Sequence, residues 1–183
     1  ILNLMAALLA AHAAGTDFDK LTSRIASFTP LPHRLQYVGC IDERHYFNDS
    51  ISTIPQATVE AIRSVEELPF VKGVDCLIVG GLDRGIDYRP LADFFLRHPM
   101  ESIAFVGEAG KRIHELLRQK NLVPAHSLQS GNYPQIVEWA RRHTRPGHAC
   151  LLSPAAASYD QFKDFAQRGD IFMRLVKAAS HPA

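Results

Sequence analysis

Arg84 is the residue of this sequence best placed to bind an anion. It follows an apolar run, residues 77–79, that stops at Gly80 and Gly81. Glycines at a strand end let the backbone turn sharply, and a guanidinium beside them can hold a carboxylate or a phosphate through two parallel hydrogen bonds. A solvated surface charge is the alternative interpretation. The stretch therefore predicts a phosphate loop, a site for another anion, or an exposed turn.

Two further polar stretches follow apolar runs in the same way. Residues 48–53 read NDSIST and contain Asp49 and Thr53, and residues 153–160 read SPAAASYD and contain Ser158. Their hydroxyl and carboxyl groups can donate to or accept from a polar ligand. Each also has a local interpretation: Asp49 as part of a turn, Thr53 as a hydroxyl–backbone turn, and Ser158 as the N-cap of the last helix.

The elements that position these residues alternate between apolar strands and amphipathic helices from residue 35 onward. The apolar runs are continuous, which is typical of strands covered on both faces. We therefore predict an α/β fold with a doubly wound, mostly parallel, Rossmann-like sheet. In such sheets ligands bind at the carboxyl ends of the strands, so the three polar stretches are expected to line one mouth.

No complete cofactor or nucleophile motif is present. The glycines at 80, 81 and 85 have the wrong spacing for a dinucleotide-binding GxGxxG, and neither GxxxxGK[ST] nor GxSxG occurs. The net charge of +1, without a long basic run, argues against a nucleic-acid surface. The three cysteines and nine histidines lack the spacing of a metal site. On the fold alone, a non-catalytic binding or interaction module is favoured over a self-sufficient enzyme.

The N-terminal segment is predicted to form a separate helical unit. Residues 1–14 are apolar and rich in alanine, too short to span a bilayer, which takes about 20 residues. We expect a buried helix that ends at Gly15. The prolines within residues 29–33 predict an extended linker, so the domain boundary is placed after residue 29. Because the sequence does not begin with Met, we expect it to be a piece of a longer chain.

Four segments together resemble the C-terminal domain of the Mur ligases, and most closely the branch that adds glutamate. They are LPHR (31–34), NDSIST (48–53), IVGGLDRGIDY (78–88) and LLSPAAASYDQFKDFAQRGDIF (151–172), of which the last is the most specific. The opening NLMAALLAAHAAG is similar to the last helix of the family's central, ATP-binding domain. The resemblance thus covers nearly the whole chain. It implies a remnant of the central domain over 1–29 and a glutamate-binding domain over 30–183.

The resemblance implies an ATP-dependent amide ligase of peptidoglycan synthesis that works in the cytoplasm. ATP would phosphorylate the carboxylate of UDP-N-acetylmuramoyl-L-alanine, and the amine of glutamate would attack the acyl phosphate, with Mg²⁺ neutralising the phosphates. The C-terminal domain would close over the central one and exclude water. ATP, Mg²⁺ and the UDP substrate would be bound mainly by domains outside these 183 residues. The fragment alone is therefore expected to be inactive, with no catalytic residue and no metal ligand, and without nucleic-acid or membrane partners.

The resemblance also implies roles for individual residues. Those expected to bind glutamate are Thr53, Arg84, Ser158, Tyr159 and Phe165. Those expected to contact the nucleotide are Asn3, Arg34 and Asp49. A cation and hydroxyl donors suit the side-chain carboxylate of a dicarboxylic amino acid. Some relatives carry Lys in place of Arg84, and the choice between D- and L-glutamate stays open.

Overall fold

The computed structural model describes residues 2–25 and 29–179. The chain divides into two compact units, Ile1–Leu31 and Pro32–Ala183. The first unit contains two helices, α1 over Leu2–Ala13 and α2 over Phe18–Ile25. Its assignment as the end of an ATP-binding domain stays a prediction.

Helix α1 is not buried, contrary to the expectation from its apolar composition. Leu4, Met5 and Leu9 are 45%, 51% and 61% exposed. A helix that is apolar on every side needs neighbours on every side, and one further short helix cannot supply them. Among the described residues, no helix is both long enough and apolar enough to cross a membrane.

The second unit is built on one six-stranded sheet. Its strands are β1 (Gln36–Ile41), β2 (Arg44–Asn48), β3 (Val74–Gly80), β4 (Ser102–Val106), β5 (His126–Gln129) and β6 (Ala149–Leu152). Their order in space is β1-β2-β6-β3-β4-β5. Strand β1 pairs with β2 in antiparallel fashion, and all other neighbours are parallel. The last strand of the chain therefore lies in the middle of the sheet.

Helices cover both faces of this sheet. They are α3 (Pro55–Glu66), α4 (Arg89–Phe95), α5 (Gly107–Gln119), α6 (Tyr133–Arg142) and α7 (Phe165–Ala178). Successive strand residues point to opposite faces: Leu77 and Val79 of β3 share a core with α3, α4 and α5, whereas Cys76 and Ile78 share a core with α6 and α7. The two cores confirm the predicted doubly wound, mostly parallel sheet.

One strand lies elsewhere than the sequence predicted. Apolar residues indicated a strand over 122–125, but β5 is His126–Gln129. Strand β5 is an edge strand with three exposed side chains out of four, so it lacks the apolar run that marks a central strand. Leu122 and Val123 instead precede the strand and line a surface cleft with Phe95.

Candidate functional site

The three polar stretches lie at the carboxyl ends of three adjacent parallel strands. Strand β6 pairs with β2 on one side and with β3 on the other. The loops that follow β2, β6 and β3 therefore leave the same edge of the sheet next to one another. We call these loops the 48–53 loop, the 153–164 loop and the 81–88 loop. Together they form the mouth that the sequence predicted.

Gly80, which ends β3, and Gly81, which follows it, allow the 81–88 loop to pack against the 153–164 loop. Gly80 and Gly81 have φ values of +110° and +140°, where a side chain is strained. The Gly80 amide donates to the carbonyl oxygen of Pro154 at 2.7 Å, and the Leu82 amide donates to that of Ala157 at 2.9 Å. A Cβ on Gly81 would collide with the same Ala157 oxygen. The glycine pair thus serves close backbone approach between two loops.

Arg84 joins the 81–88 loop to the 48–53 loop. Its Nη2 donates to the carbonyl oxygen of Thr53 at 3.1 Å, while the side chain stays exposed. Thr53 is half-buried, and it takes part through its backbone, not through the hydroxyl that the sequence suggested. Because a carbonyl oxygen neutralises no charge, the guanidinium keeps its positive charge available for an anion.

Asp49 is buried, with 2% of its surface exposed. Its Oδ1 accepts from the Leu35 amide at 3.1 Å, and its Oδ2 accepts from the Ser153 hydroxyl at 2.7 Å. Burial raises the pKa of Asp49, against the opposing effect of hydrogen bonds from Ser52, Ser153 and Leu35 and of the nearby charge of Arg34. The carboxylate therefore links the 48–53 loop to the 153–164 loop and to the residue before β1, which is more than the simple turn considered as its alternative.

Arg34 and Asp49, the two nucleotide-contacting candidates of the second unit, line one cleft. Its volume is about 170 Å³, and Leu35, Ser52 and Glu60 also line it. Arg34 is exposed, whereas Asp49 is not. The third candidate, Asn3, lies in α1, and its side chain is outside the described part of the structure, so its role stays a prediction.

The three remaining candidates differ in their surroundings. Ser158 is buried, and its carbonyl oxygen accepts from the Phe162 amide at 2.9 Å. Tyr159 is 67% exposed. Phe165 is half-buried, and its carbonyl oxygen accepts from the Ser50 hydroxyl at 2.8 Å. Phe165 thus contacts the 48–53 loop directly, while Ser158 and Tyr159 belong to the neighbouring loop.

The N-cap interpretation of Ser158 is wrong. Helix α7 begins at Phe165, and its N-cap is Asp164, whose Oδ1 accepts from the Gln167 amide at 2.8 Å. Ser158 lies in the turn before this helix, where its carbonyl oxygen also accepts from the Gln161 amide at 3.1 Å.

Arg168 is an organising residue that the sequence analysis missed. Its side chain is 1% exposed, and its Nε and Nη2 donate to the hydroxyl and the carbonyl oxygen of Ser50 at 2.9 and 2.8 Å. Further bonds reach the carbonyl oxygens of Ala156 at 3.0 Å and Ala157 at 3.3 Å. Burial lowers the pKa of Arg168, although an arginine still keeps its charge. One guanidinium thus fastens the 48–53 loop to the 153–164 loop.

A sequence signal for Arg168 does exist. Phe172 and Val176 follow it at intervals of four residues, and all three are buried on α7. An arginine in line with two core residues of a helix occupies a position where a charged side chain is rare unless it is fully hydrogen-bonded. The spacing alone could therefore have identified it.

The described residues contain no group of three or more His, Cys, Asp or Glu side chains arranged to hold a metal ion. Cys76 and Cys150, register partners on β3 and β6, are buried free thiols. A hydrogen bond with Cys150 and burial raise the pKa of Cys76. These thiols therefore belong to the core and not to a thiolate site.

Comparisons with known proteins give a consistent result, although no protein-family model matches the chain. The UDP-N-acetylmuramoylalanine–D-glutamate ligase of Geobacillus sp. (strain WCH70) is 36% identical over 174 residues, which are 95% of this chain and 37% of that enzyme. The enzyme of the same name from Lactobacillus acidophilus is 37% identical over 178 residues, or 96% of this chain and 36% of that one. The chain thus spans little more than a third of the length of these curated relatives.

Solved structures show the same fold at low sequence identity. The UDP-N-acetylmuramate–alanine ligase MurC of Thermotoga maritima superposes with a TM-score of 0.69 at 13% identity, covering 97% of this chain and 37% of that one. The MurF ligase of the same organism, solved in complex with ADP, gives a TM-score of 0.62 at 14% identity, covering 97% of this chain and 38% of that one. The chain is therefore similar over almost its whole length to part of these ligases, in sequence to the first two and in fold to the second two, as the sequence motifs predicted.

Proposed function

We propose that this chain is the C-terminal, glutamate-binding part of an ATP-dependent ligase that joins D-glutamate to UDP-N-acetylmuramoyl-L-alanine. The observation that carries the proposal is Arg84, an exposed cation with a neutral carbonyl partner 3.1 Å away, at the mouth of three interlocked loops. The relatives named D-glutamate ligases are similar over 95% of the chain, and they support both glutamate as the substrate and its D configuration. They also weigh against a non-catalytic binding module.

Arg84 would pair with the side-chain carboxylate of glutamate. The fork of a guanidinium matches the two oxygens of a carboxylate, and the contact with Thr53 fixes one of its nitrogens. The hydroxyl of Ser158 and the polypeptide near Tyr159 and Phe165 would supply further donors. Such fixed contacts would orient the amine of glutamate for attack and lower the entropic cost of the reaction.

The cleft between Arg34 and Asp49 would contact the nucleotide. Arg34 is exposed and positively charged, so it suits a phosphate. Asp49 accepts a hydrogen bond from the Leu35 amide, and this bond fixes the backbone next to Arg34. Bound ATP, with Mg²⁺, would supply the phosphoryl group that activates the muramoyl-alanine carboxylate. The sequence has no GxxxxGK[ST] loop, so the phosphates would be held mainly by residues outside this chain.

Residues 1–29, most of the first unit, would be the end of the central, ATP-binding domain, followed by the C-terminal domain over 30–183. The exposed apolar side chains of α1 support this assignment, because such a helix is stable when another surface covers it. Asn3 on this helix would reach the nucleotide. The ligase would work in the cytoplasm, where ATP and the UDP-linked substrate are available.

The decisive experiment is steady-state kinetics of Arg84→Ala in the intact ligase. We expect the KM for glutamate to rise about 30- to 5,000-fold, since loss of one partner of a desolvated charge pair costs about 2–5 kcal/mol. The KM for ATP should change by less than about threefold. Arg84→Lys is the matched control. Because it keeps the charge, its KM for glutamate should lie between that of the wild type and that of Arg84→Ala. Equal rises in both KM values would refute the glutamate pocket.

Two further assays complete this test. Residues 1–183 on their own should neither hydrolyse ATP nor form the amide, and turnover by this chain alone would contradict the proposed division of labour. Incorporation of isotopically labelled D-glutamate and not L-glutamate by the intact ligase would support the proposed D configuration of the substrate. Preference for L-glutamate would place the chain in a branch with the other stereochemistry.

A further inference from the structure

Backbone bonds hold Gly81 and Leu82 of the 81–88 loop, whereas residues 83–87, which include Arg84, are held by side chains. Asp83 Oδ1 accepts from the Gly85 amide at 2.9 Å, and Asp87 Oδ1 accepts from the Arg89 amide at 2.9 Å. These two bonds are local and shape the loop without fixing it to the rest of the domain. Among the described residues, no backbone–backbone hydrogen bond involves residues 83–87. The position of Arg84 therefore depends on side chains that reach the loop from elsewhere.

Arg112 on α5 is the side chain that reaches both halves of this loop. Its Nη1 donates to Asp83 Oδ1 at 2.5 Å, and its Nη2 donates to the carbonyl oxygen of Ile86 at 3.3 Å. Its guanidinium carbon lies 5.3 Å from the centre of the Tyr88 ring, which is in cation–π range. Arg112 thus contacts one residue before Arg84 and two after it.

The helix that supplies Arg112 is itself firmly packed. Ala109, Ile113 and Leu117 of α5 are at most 1% exposed, and the Ala109 amide donates to the carbonyl oxygen of Gly81 at 3.0 Å. Such a buried helix face offers a rigid origin for a side chain that must hold a loop. The Asp83 side chain is 23% exposed, so the ion pair is partly screened by water, but two further contacts reinforce it.

Arg112 and Arg84 have different chemical partners. The charge of Arg112 is neutralised by the Asp83 carboxylate, whereas Arg84 donates to a neutral carbonyl. Arg112 is therefore poorly suited to bind an anion itself, and well suited to fix the backbone around Arg84. We infer that Arg112 is a positioning residue that holds the Arg84 loop in place and thereby sets the affinity of the site for the glutamate carboxylate. The part of this inference that concerns affinity for glutamate rests on the proposed function.

Hydrogen–deuterium exchange on the 183-residue chain tests the positioning role without any ligand. In Arg112→Ala, the Gly85 amide, which donates to the Asp83 carboxylate, should exchange about five- to tenfold faster, since Asp83 loses the ion pair that holds it. Amides of β3 and α5 should not change. Lys111→Ala, which removes the neighbouring exposed cation, is the matched control and should leave the loop unaffected. Equal loop exchange in the two variants would overturn the inference.

Two milder substitutions guard against a variant that does not fold. Arg112→Lys keeps a charge near Asp83 but loses the fork, and it should give an intermediate exchange rate. Asp83→Asn keeps an acceptor for the Gly85 amide but removes the charge that Arg112 pairs with, and it should speed exchange of the Gly85 amide in the same way. Wild-type exchange in Asp83→Asn would also count against the role of the ion pair.

Kinetics of the intact ligase then separate this inference from the proposed function. Arg112→Ala should raise the KM for glutamate several-fold and leave the KM for ATP unchanged, and it should add little in an Arg84→Ala background, because both act through one guanidinium. Independent, multiplicative effects of the two substitutions would refute the positioning role. If Arg84→Ala itself leaves the KM for glutamate unchanged, the proposed function fails, whereas the exchange result still decides the role of Arg112.

Discussion

The guanidinium of Arg168 donates to the carbonyl oxygen of Ser50 at 2.8 Å and to that of Ala156 at 3.0 Å. These two oxygens belong to loops that follow different strands. The side chain is buried on the helix α7 that follows both loops in sequence. One buried cation therefore determines how two walls of the mouth sit against each other, while the exposed Arg84 meets the solvent.

Arg168→Ala should destabilise the second unit by about 2–4 kcal/mol, because several buried oxygens lose their donor. Urea unfolding followed by circular dichroism measures this change. Arg174→Ala, an exposed arginine on the same helix, is the control and should cost less than about 0.5 kcal/mol. If the two variants unfold at the same urea concentration, the Arg168 hydrogen bonds contribute no net stability.

Asp49→Asn should separate stability from nucleotide binding. Since burial raises the pKa of Asp49, the folded state holds its proton more tightly than the unfolded state, and ionisation weakens folding as pH rises from about 4 through the raised pKa. The variant has no such ionisation. Its stability relative to wild type should therefore increase between pH 4.5 and pH 7.5, while the KM for ATP in the intact ligase rises.

Urea unfolding at the two pH values provides the measurement for this prediction. Glu60→Gln, in the same cleft as Asp49 but exposed, is the matched control, and its stability difference from wild type should not follow the same trend. A relative stability of Asp49→Asn that decreases with rising pH would contradict the sign of the effect.

Arg145→Ala should weaken the domain at neutral pH and leave it nearly unchanged in acid. Asp75 accepts from the Arg145 Nε at 2.9 Å and from its Nη2 at 2.7 Å. Burial alone would raise the pKa of Asp75, but hydrogen bonds from Arg145 and the nearby His148 outweigh it and lower the pKa. A lowered pKa stabilises the fold above about pH 4, and this contribution is lost as pH falls through the folded-state pKa.

The expected loss for Arg145→Ala at pH 7 is small but measurable, since the arginine is 66% exposed and solvent screens the pair. Thermal unfolding at pH 7 and pH 3 would measure it. In Asp75→Asn the same arginine substitution should have little effect at either pH. A loss that is equal at both pH values in the wild-type background would exclude the ion pair as its cause.

Gly81→Ala should open the contact between the 81–88 and 153–164 loops. The added Cβ meets the carbonyl oxygen of Ala157, at a φ of +140° that alanine adopts with strain, so we expect a loss of about 2–4 kcal/mol. Gly85→Ala is the matched control, because its φ is +71° but no atom lies within 4 Å of the added Cβ. Only strain of about 1 kcal/mol applies there. Equal losses in a urea titration would show that the close approach at Gly81 is unimportant.

The sequence predicted those parts of the fold that leave a continuous apolar run. Strands β3, β4 and β6 are buried throughout, and nearly all of their residues on both faces are therefore apolar. Edge strand β5 has no such run, because water covers most of its side chains. Composition also predicted burial of α1, but burial depends on the presence of a partner surface, which composition does not describe.

The candidate site shows the same limit at the level of single residues. Arg84 could be singled out because glycines precede it, yet its bond to the backbone of Thr53 depends on the sheet order that brings β3 and β2 to either side of β6. Backbone acceptors carry no side-chain identity that a sequence could display. The spacing of Arg168 with Phe172 and Val176 marked it as buried, but its partners could not be predicted, since its four acceptors are three backbone carbonyls and one hydroxyl.

The central position of β6 in the sheet has a consequence for how the protein folds during synthesis. Strand β2 and strand β3 do not pair with each other, and β6, which joins them, is made about 70 residues after β3 ends. A ribosome adds about 5–20 residues per second. It must therefore release β6 before the β1–β2 pair can join β3, β4 and β5 in one sheet. Until then β2 and β3 each expose an unpaired edge, the kind of surface on which nascent chains aggregate.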